Sequence, residues 1–348
     1  MLLRVVGEAE AMVGGVLGRV LAVSPRVSDR LPVRPPVLDG QRMNPRLHVL
    51  ATAGKRDLLA RRAPTTFTRA KLDWLMRVVT TVRTGPVRTS SWTIAGPAGL
   101  LAARLYQPER GSRSLLMFVH GGGWHVGSVA GYENTLRFLA DRAGVSVLSV
   151  DYRLAPEHPF PAAFDDVSAA FRYAVDHAEQ WGIDTGRIGI GGDSAGGNLA
   201  AAVALTLAPD ARYRPAVVAL LYPALDWTLD RYQSTTLFTV PLDEDSVRRA
   251  MRWYAPTTHA QEDPRFSVLS GDLSVMPRTY VATAGMDVLR DQGETLVTRL
   301  RGLGVDAELR RFDNLPHGFA SMLVDPQARS ATGEYARAVG SILAQRVT

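Results

Sequence analysis

The chain has 348 residues, of which 46% are hydrophobic and 21% are charged, and these proportions argue against disordered and fibrous classes and favour one large globular core with an added lid. Cysteine is absent, which excludes disulfides, a thiolate nucleophile and cysteine-ligated metals and is compatible with the reducing cytoplasm, the location we expect. The formal net charge is +6, but the arginines are scattered and form no basic run, so the charge predicts no nucleic-acid partner.

The first segment with a clear pattern is Met1–Val23, whose apolar residues recur at spacings of three and four. This spacing predicts an amphipathic helix. Arg4, Glu8, Glu10 and Arg19 interrupt the segment, which argues against a transmembrane span and against a signal peptide. We expect the apolar face to pack on the body of the protein, and docking on a membrane surface stays open as the alternative.

A proline-rich linker follows at Pro25–Pro36, and from Ser90 onward short β-rich runs alternate with helical stretches. This alternation predicts an α/β fold with a mostly parallel sheet covered by helices on both faces. Eight strands are predicted, at Ser90–Ile94, Leu100–Tyr106, Leu115–His120, Val145–Val150, Arg187–Gly191, Ala216–Tyr222, Thr279–Ala284 and Ala307–Phe312. Helices are predicted at Tyr132–Ala143, Ala162–Glu179, Ala195–Ala208, Asp291–Leu303 and Gln327–Gln345.

The alternation is interrupted at Leu229–His259, where polar loop residues precede a helix-like stretch at Asp245–Tyr254. We interpret residues 229–259 as an insertion that covers the strand ends together with the N-terminal helices, because ligands bind at the strand ends of open α/β sheets. The expected organisation is therefore 1–85 for N-terminal helices that contribute to a cap and a linker, and 86–348 for the α/β catalytic domain.

A GxSxG pattern occupies Gly192 to Gly196, between a predicted strand and an alanine-rich helix. A serine on a tight strand-to-helix turn has a strained backbone, and small residues two positions to either side let the turn close. Ser194 is therefore the candidate nucleophile. The amides at the start of the helix point to where negative charge develops, and the amide of Ala195 is the obvious donor.

A glycine-rich loop with the sequence HGGGW, His120–Trp124, closes the predicted strand upstream of that turn. Consecutive glycines let the backbone lie against a bound substrate. We expect the amides of Gly122 and Gly123 to meet an oxyanion beside the helix amide. No metal site is expected, because neither the spacing of His120 and His125 nor neighbouring carboxylates support one, and His120 is interpreted as structural.

Three motifs together, HGGGW at 120–124, DYRLAPEHPFPAA at 151–163 and GDSAGGNLA at 192–200, resemble the hormone-sensitive-lipase-like family of α/β-hydrolases. The resemblance covers the chain from about Ser90 to the C-terminus. It implies the α/β-hydrolase fold with a helical cap, a serine carboxylesterase acting on short to medium acyl esters, and no cofactor. Trp124 is a candidate substrate contact.

The resemblance also implies the two residues that assist the serine. The acid of the family lies in a motif like DPLRDE, which is matched at Asp287 with valine in place of proline, and Asp291 stays open as the alternative. The base of the family lies in an HGF motif, which is matched at His317. The chain order Ser, Asp, His agrees with this assignment.

The chemistry expected from these residues is acyl transfer to water. Neutral His317 would accept the proton of Ser194 while Asp287 fixes the imidazole tautomer, and an acyl-enzyme would form and be hydrolysed. Two alternatives remain, an amidase or deacetylase that uses the same residues and a non-catalytic small-molecule receptor of the same fold. The predicted partners are a small-molecule ester and, since related enzymes sometimes pair through edge strands, a homodimer.

Overall fold

A computed structural model describes residues 34–38, 40–58, 63–237 and 240–345. The helix predicted at Met1–Val23 lies outside these residues. The described strands are β1 (Val37–Leu38), β2 (Gln41–Arg42), β3 (Val87–Gly96), β4 (Gly99–Pro108), β5 (Leu115–Val119), β6 (Ser146–Val150), β7 (Ile188–Asp193), β8 (Val218–Leu221), β9 (Thr279–Met286) and β10 (Ala307–Pro316). The described α-helices are α1 (Pro45–Leu58), α2 (Thr66–Val79), α3 (Glu133–Ala143), α4 (Ala162–Asp176), α5 (Ala195–Leu207), α6 (Glu244–Tyr254), α7 (Thr258–Glu262), α8 (Arg290–Gly302) and α9 (Pro326–Ala344).

Strands β3 to β10 form one eight-stranded sheet in the order β10-β9-β8-β7-β5-β6-β4-β3. The strands from β10 to β6 pair in parallel, whereas β4 is antiparallel to both β6 and β3. Every residue of β5 to β9 is buried, because helices cover both faces of the sheet. The predicted mostly parallel sheet of eight strands is confirmed.

The helices divide between two hydrophobic cores, one on each face of the sheet. Side chains of α4, α5 and α8 share the first core, including Phe171, Leu199 and Leu296. Side chains of α3 and α9 share the second core, including Leu136 and Tyr335. Strand β7 lies between β5 and β8 near the middle of the sheet, and all of its residues are buried.

Several predicted boundaries were wrong by a few residues. The antiparallel pair β3 and β4 is longer than predicted, with continuous pairing from Val87 and Pro108 to Gly96 and Gly99. Sequence periodicity detects only the apolar centre of this hairpin, whereas backbone pairing between the two strands continues beyond that centre in both directions. Strand β5 ends before His120, because the chain turns there into the glycine loop.

The described part of residues 1–85 contains helices α1 and α2 and, before them, the two short strands β1 and β2, which were not predicted. Residues 229–259 contain two short 3₁₀ turns, then α6, and then the start of α7. Helix α6 begins with a capping box in which Asp243 accepts the amide of Ser246 at 3.0 Å and the Ser246 hydroxyl accepts the amide of Asp243 at 3.0 Å. Within the described ranges, no helix combines the length and the apolar character that crossing a membrane requires.

Candidate active site

Ser194 lies on a sharp turn between β7 and α5. Its backbone has φ 54° and ψ −119°, which is a strained conformation for a residue with a side chain. A Cβ atom on Gly192 would lie 2.5 Å from the carbonyl oxygen of Gly196, and one on Gly196 would lie 2.1 Å from the carbonyl oxygen of Val119. Both glycines of the pattern are therefore required for the turn to close against β5.

Three side chains from the ends of different strands meet at this turn. Ser194 Oγ lies 2.9 Å from His317 Nε2, and His317 Nδ1 lies 2.7 Å from Asp287 Oδ2. Asp287 is fully buried, and its Oδ1 accepts the backbone amide of Leu289 at 3.0 Å. A carboxylate at Nδ1 favours the tautomer with its proton on Nδ1, which leaves the Nε2 lone pair directed at the serine hydroxyl.

The alternative carboxylate, Asp291, has other partners. Its Oδ2 accepts the amide of Ser234 at 2.8 Å, and its Oδ1 lies 2.9 Å from Arg290 Nε. Helix α8 begins at Arg290, so Asp291 lies inside its first turn. Of the two aspartates, Asp287 is the one that contacts His317.

The glycine loop and the start of α5 present three backbone amides to the same space. Gly122 and Gly123 have φ values of 114° and 59°, which favour glycine. The amides of Gly122, Gly123 and Ala195 donate to no acceptor within the ranges that the structure describes, and all three residues line the cavity that contains Ser194. Unsatisfied amides at a helix start and in a glycine loop can bind an anion.

A buried carboxylate that the sequence interpretation missed holds the glycine loop against the turn. Asp193 Oδ1 accepts the amide of Gly121 at 2.8 Å, and Oδ2 accepts the hydroxyl of Tyr132 at 3.0 Å. The loop is also held by Tyr152, whose hydroxyl donates to the carbonyl of His120 at 2.9 Å. Asp193 occupies the variable position of GxSxG, so the pattern itself carries no signal for this role.

Burial raises the pKa of Asp193 from 3.8 to about 6, although the hydrogen bonds from Gly121 and Tyr132 lower it. The folded state therefore binds this proton more tightly than the unfolded state, and the associated stability is present below pH 4 and is lost as the pH rises through 6. The difference between the two pKa values corresponds to about 3 kcal/mol.

We expect Asp193→Asn to remove this dependence, because asparagine does not titrate. The quantity to follow is the stability difference, which is the free energy of unfolding of the wild type minus that of the variant. This difference should fall by about 3 kcal/mol as the pH rises from 3.5 to 7.5. Urea unfolding across this range measures both proteins, and the other titrating groups cancel in the difference. Parallel pH profiles for the two proteins would contradict the assignment.

His120 and Trp124, which flank the three glycines, are both packed in the interior. The His120 ring stacks on Tyr152 with centroids 4.3 Å apart, in agreement with a structural role. The Trp124 indole stacks on Tyr254 at 5.1 Å and donates from Nε1 to Asn198 at 3.3 Å. Trp124 borders the cavity, but the residue is only 2% exposed, and its contact with substrate stays a prediction.

The space above Ser194 is a cavity of about 530 Å³. Helices α1, α2 and α6 contribute much of its wall, together with residues that follow β9 and β10. Among the described residues, no cluster of three or more His, Asp or Glu side chains is arranged to hold a metal ion. The apolar side chains on the cavity wall include Val49, Leu50, Leu72, Leu75, Met76, Val79, Leu242, Val247, Leu289 and Met322.

Comparison with known proteins identifies the family. A family model described as the alpha/beta hydrolase fold matches residues 116–321. Carboxylic ester hydrolase LipN of Mycobacterium tuberculosis is 35% identical over an alignment of 312 residues, and the match covers 82% of this chain and 79% of LipN. Arylacetamide deacetylase of Bos taurus is 33% identical over an alignment of 303 residues, and the match covers 68% of this chain and 76% of that protein.

A solved structure is also similar along most of the chain. The hyperthermophilic esterase from the archaeon Pyrobaculum calidifontis superposes with a TM-score of 0.78 at 32% identity, and the match covers 86% of this chain and 98% of that one. The sequence motifs, the sheet order and these matches agree, so the chain belongs to the α/β-hydrolase superfamily, as a member of its hormone-sensitive-lipase-like esterases.

Proposed function

We propose that this protein hydrolyses carboxylic esters through an acyl-enzyme on Ser194. The observation that carries the proposal is the chain of hydrogen bonds from Ser194 through His317 to the buried Asp287, at the wall of an apolar cavity. A serine hydroxyl is a weak nucleophile until an adjacent base accepts its proton. The Nε2 atom of His317 lies within the distance that such a proton transfer requires.

In the proposed reaction, Ser194 Oγ bonds to the ester carbonyl carbon as its proton moves to His317. Collapse of the tetrahedral intermediate breaks the bond to the leaving alcohol, which takes that proton from His317. Water then gives one proton to His317 and attacks the acyl carbon, and the carboxylic acid leaves as Ser194 regains its proton. Asp287 stabilises the imidazolium formed in each half of the cycle.

We assign the oxyanion hole to the amides of Gly122, Gly123 and Ala195. Their lack of an acceptor within the described part of the chain supports this assignment, because donors held in place before the reaction stabilise the charge that develops on the carbonyl oxygen. The hydrogen bond from the Gly121 amide to Asp193 would hold the glycine loop in a fixed position relative to Ser194 during turnover.

Gly122→Ala should lower kcat by about 10^2- to 10^3-fold, the effect of losing one oxyanion-hole donor. A Cβ atom at this position would lie 2.1 Å from the carbonyl oxygen of Val126, so the loop must move. The matched control is Gly144→Ala, which also has positive φ but has no atom within 4 Å of its added Cβ. Steady-state kinetics on a butyrate ester compares them, and equal losses in both variants would contradict the assignment.

The cavity supports short to medium acyl esters as substrates. Its wall is mostly apolar, and a volume of about 530 Å³ lies within the range for small-molecule sites. We propose that the cap consists of the N-terminal helices in 1–85 and the insertion at 229–259, because α1, α2 and α6 supply apolar side chains to this wall.

The test is turnover of p-nitrophenyl esters with acyl chains from acetate to palmitate, together with labelling by a fluorophosphonate and peptide mapping. We expect the highest kcat/KM for short to medium chains and a single label on Ser194. Labelling of another residue would refute the proposal. Folded protein that neither turns over nor becomes labelled would favour the non-catalytic receptor.

Amide hydrolysis is the second candidate, and one observation favours it. The relative from Bos taurus is named a deacetylase of arylacetamides, and the same catalytic residues serve both reactions. Comparing p-nitroacetanilide with p-nitrophenyl acetate separates the two, and we expect the ester to be preferred. The homodimer, the cytoplasmic location and contact of Met1–Val23 with a membrane stay predictions.

A further inference from the structure

Strained backbone conformations cluster around the candidate active site. Within the ranges that the structure describes, three residues other than glycine have positive φ, namely Trp124 at 63°, Ser194 at 54° and Tyr222 at 36°. Ser194 is the proposed nucleophile and Trp124 is the last residue of the glycine loop. Tyr222, the residue after β8, belongs to none of the sequence motifs. A bulky residue with positive φ persists only where its surroundings hold it, and such residues collect at functional sites.

The surroundings that hold Tyr222 include the candidate base. Its ring is fully buried, and the ring centroid lies 4.8 Å from that of His317 with 59° between the planes. On another side it meets Phe319 at 5.1 Å and 73°. Its amide donates to the carbonyl of Ala282 at 2.7 Å, which fixes the backbone to β9. Tyr222 is not among the residues that line the cavity, so its ring packs behind the imidazole.

The two hydrogen bonds of His317 leave one motion weakly restrained. They fix the positions of Nδ1 and Nε2, but a tilt of the ring about the line through these atoms moves neither nitrogen. Such a tilt swings the ring carbons of His317, and with them the plane in which the Nε2 lone pair lies. A rigid aromatic ring against the imidazole opposes this tilt by close packing.

The same contact also lies beside the imidazolium that forms during the proposed reaction. An aromatic ring within about 6 Å attracts a cation, and His317 becomes a cation when it accepts the serine proton. An interaction that strengthens as the reaction proceeds lowers its barrier. Burial raises the pKa of Tyr222 well above its usual value, so the phenol stays neutral beside the imidazole.

We infer that Tyr222 is a positioning residue, whose ring holds the His317 imidazole in line with Ser194 and whose strained backbone is the consequence of placing a side chain there. This inference rests on the proposed ester hydrolysis. Glycine would relieve the backbone conformation at this position, but it would leave the imidazole without its neighbour.

Three variants separate the ring from the hydroxyl and from the backbone. Tyr222→Phe keeps the ring and should retain most of the wild-type kcat. Tyr222→Leu and Tyr222→Gly remove it and should lower kcat by about 10- to 100-fold, the effect of a misaligned catalytic group, while KM stays close to that of the wild type. Fluorophosphonate titration measures the concentration of protein whose Ser194 reacts. The rate of each variant is divided by this concentration, so that unfolded protein does not lower kcat.

The matched control is Phe312→Leu, which removes a buried ring that contacts Phe319 at 5.3 Å in the same core. It should lower the thermal midpoint while kcat stays close to that of the wild type. Wild-type kcat in both Tyr222→Leu and Tyr222→Gly, or an equal loss in Phe312→Leu, would overturn the inference. Should those two variants fail to fold, Tyr222→Met provides the replacement without a ring. An inactive wild type would instead refute the proposed function itself.

Discussion

Ser194→Ala is expected to lower kcat for ester hydrolysis by about 10^6-fold, the loss seen when a serine hydrolase loses its nucleophile. Without Oγ no acyl-enzyme can form, and His317 has no hydroxyl to activate. Binding of substrate should persist, because the apolar wall of the cavity and the three amides are unchanged. A product analogue should therefore still stabilise the variant against heat, by the same shift as for the wild type.

The control for this variant is Ser246→Ala, a serine that lines the same cavity but lies at the start of α6. It loses one half of the capping box of α6, the hydrogen bond from the Asp243 amide to the Ser246 hydroxyl, which costs about 1 kcal/mol of stability, and should keep nearly all its activity. Fluorophosphonate should label Ser246→Ala and should leave Ser194→Ala unlabelled. Turnover by Ser194→Ala close to that of the wild type would mean that another group is the nucleophile.

Asp287→Asn should lower kcat by about 10^4-fold, because an amide at this position favours the wrong tautomer of His317. The Asp287 carboxylate is fully buried and accepts from His317 at 2.7 Å. An asparagine that keeps the Leu289 amide bond at Oδ1 presents an N–H to the imidazole, so the proton moves to Nε2 and the base function is lost.

Asp291→Asn is the matched control, since the same change is made four positions later. Its carboxylate pairs with Arg290 and accepts from Ser234, and the loss of one such partly exposed ion pair costs about 0 to 1 kcal/mol. We expect kcat close to that of the wild type. The opposite result, a crippled Asp291→Asn and an active Asp287→Asn, would exchange the two roles.

A double variant tests whether Asp287 acts through the nucleophile. Residues that work as one unit have effects that do not add. Asp287→Asn on the Ser194→Ala background should therefore lower the residual turnover no further. A full second loss of about 10^4-fold would show that Asp287 acts on a path that does not involve Ser194.

The fold was predictable where the residue pattern of a segment is enough to indicate its secondary structure. Alternation of buried strands and amphipathic helices predicted the eight-stranded sheet, which is confirmed, because solvent exposure of each residue repeats with the period of its element. The boundaries were less predictable. Strands β3 and β4 extend beyond their apolar centres. The length of each strand depends on backbone pairing with its neighbour, and the residue pattern of one strand alone does not show that pairing.

Parts of the candidate site also follow from local sterics. The need for small residues at Gly192 and Gly196 was readable from the tight turn around Ser194. An added Cβ on Gly192 would meet Gly196 within the turn at 2.5 Å, whereas one on Gly196 would meet Val119 of β5 at 2.1 Å, which is a tertiary contact. The choice between Asp287 and Asp291 was not readable from local patterns. Both follow the same strand within five residues, so only the position of His317 in space distinguishes them.

The sequence by itself determined the fold class, the strained serine turn and the glycine loop, because each depends on contacts among residues close together in the chain. Tertiary structure decided which side chains meet. His317 lies 123 positions from Ser194, and Asp193 and Tyr222 act through neighbours that come from other strands. Such contacts depend on the order and register of strands in the sheet, which are set by packing of the whole core rather than by any local pattern.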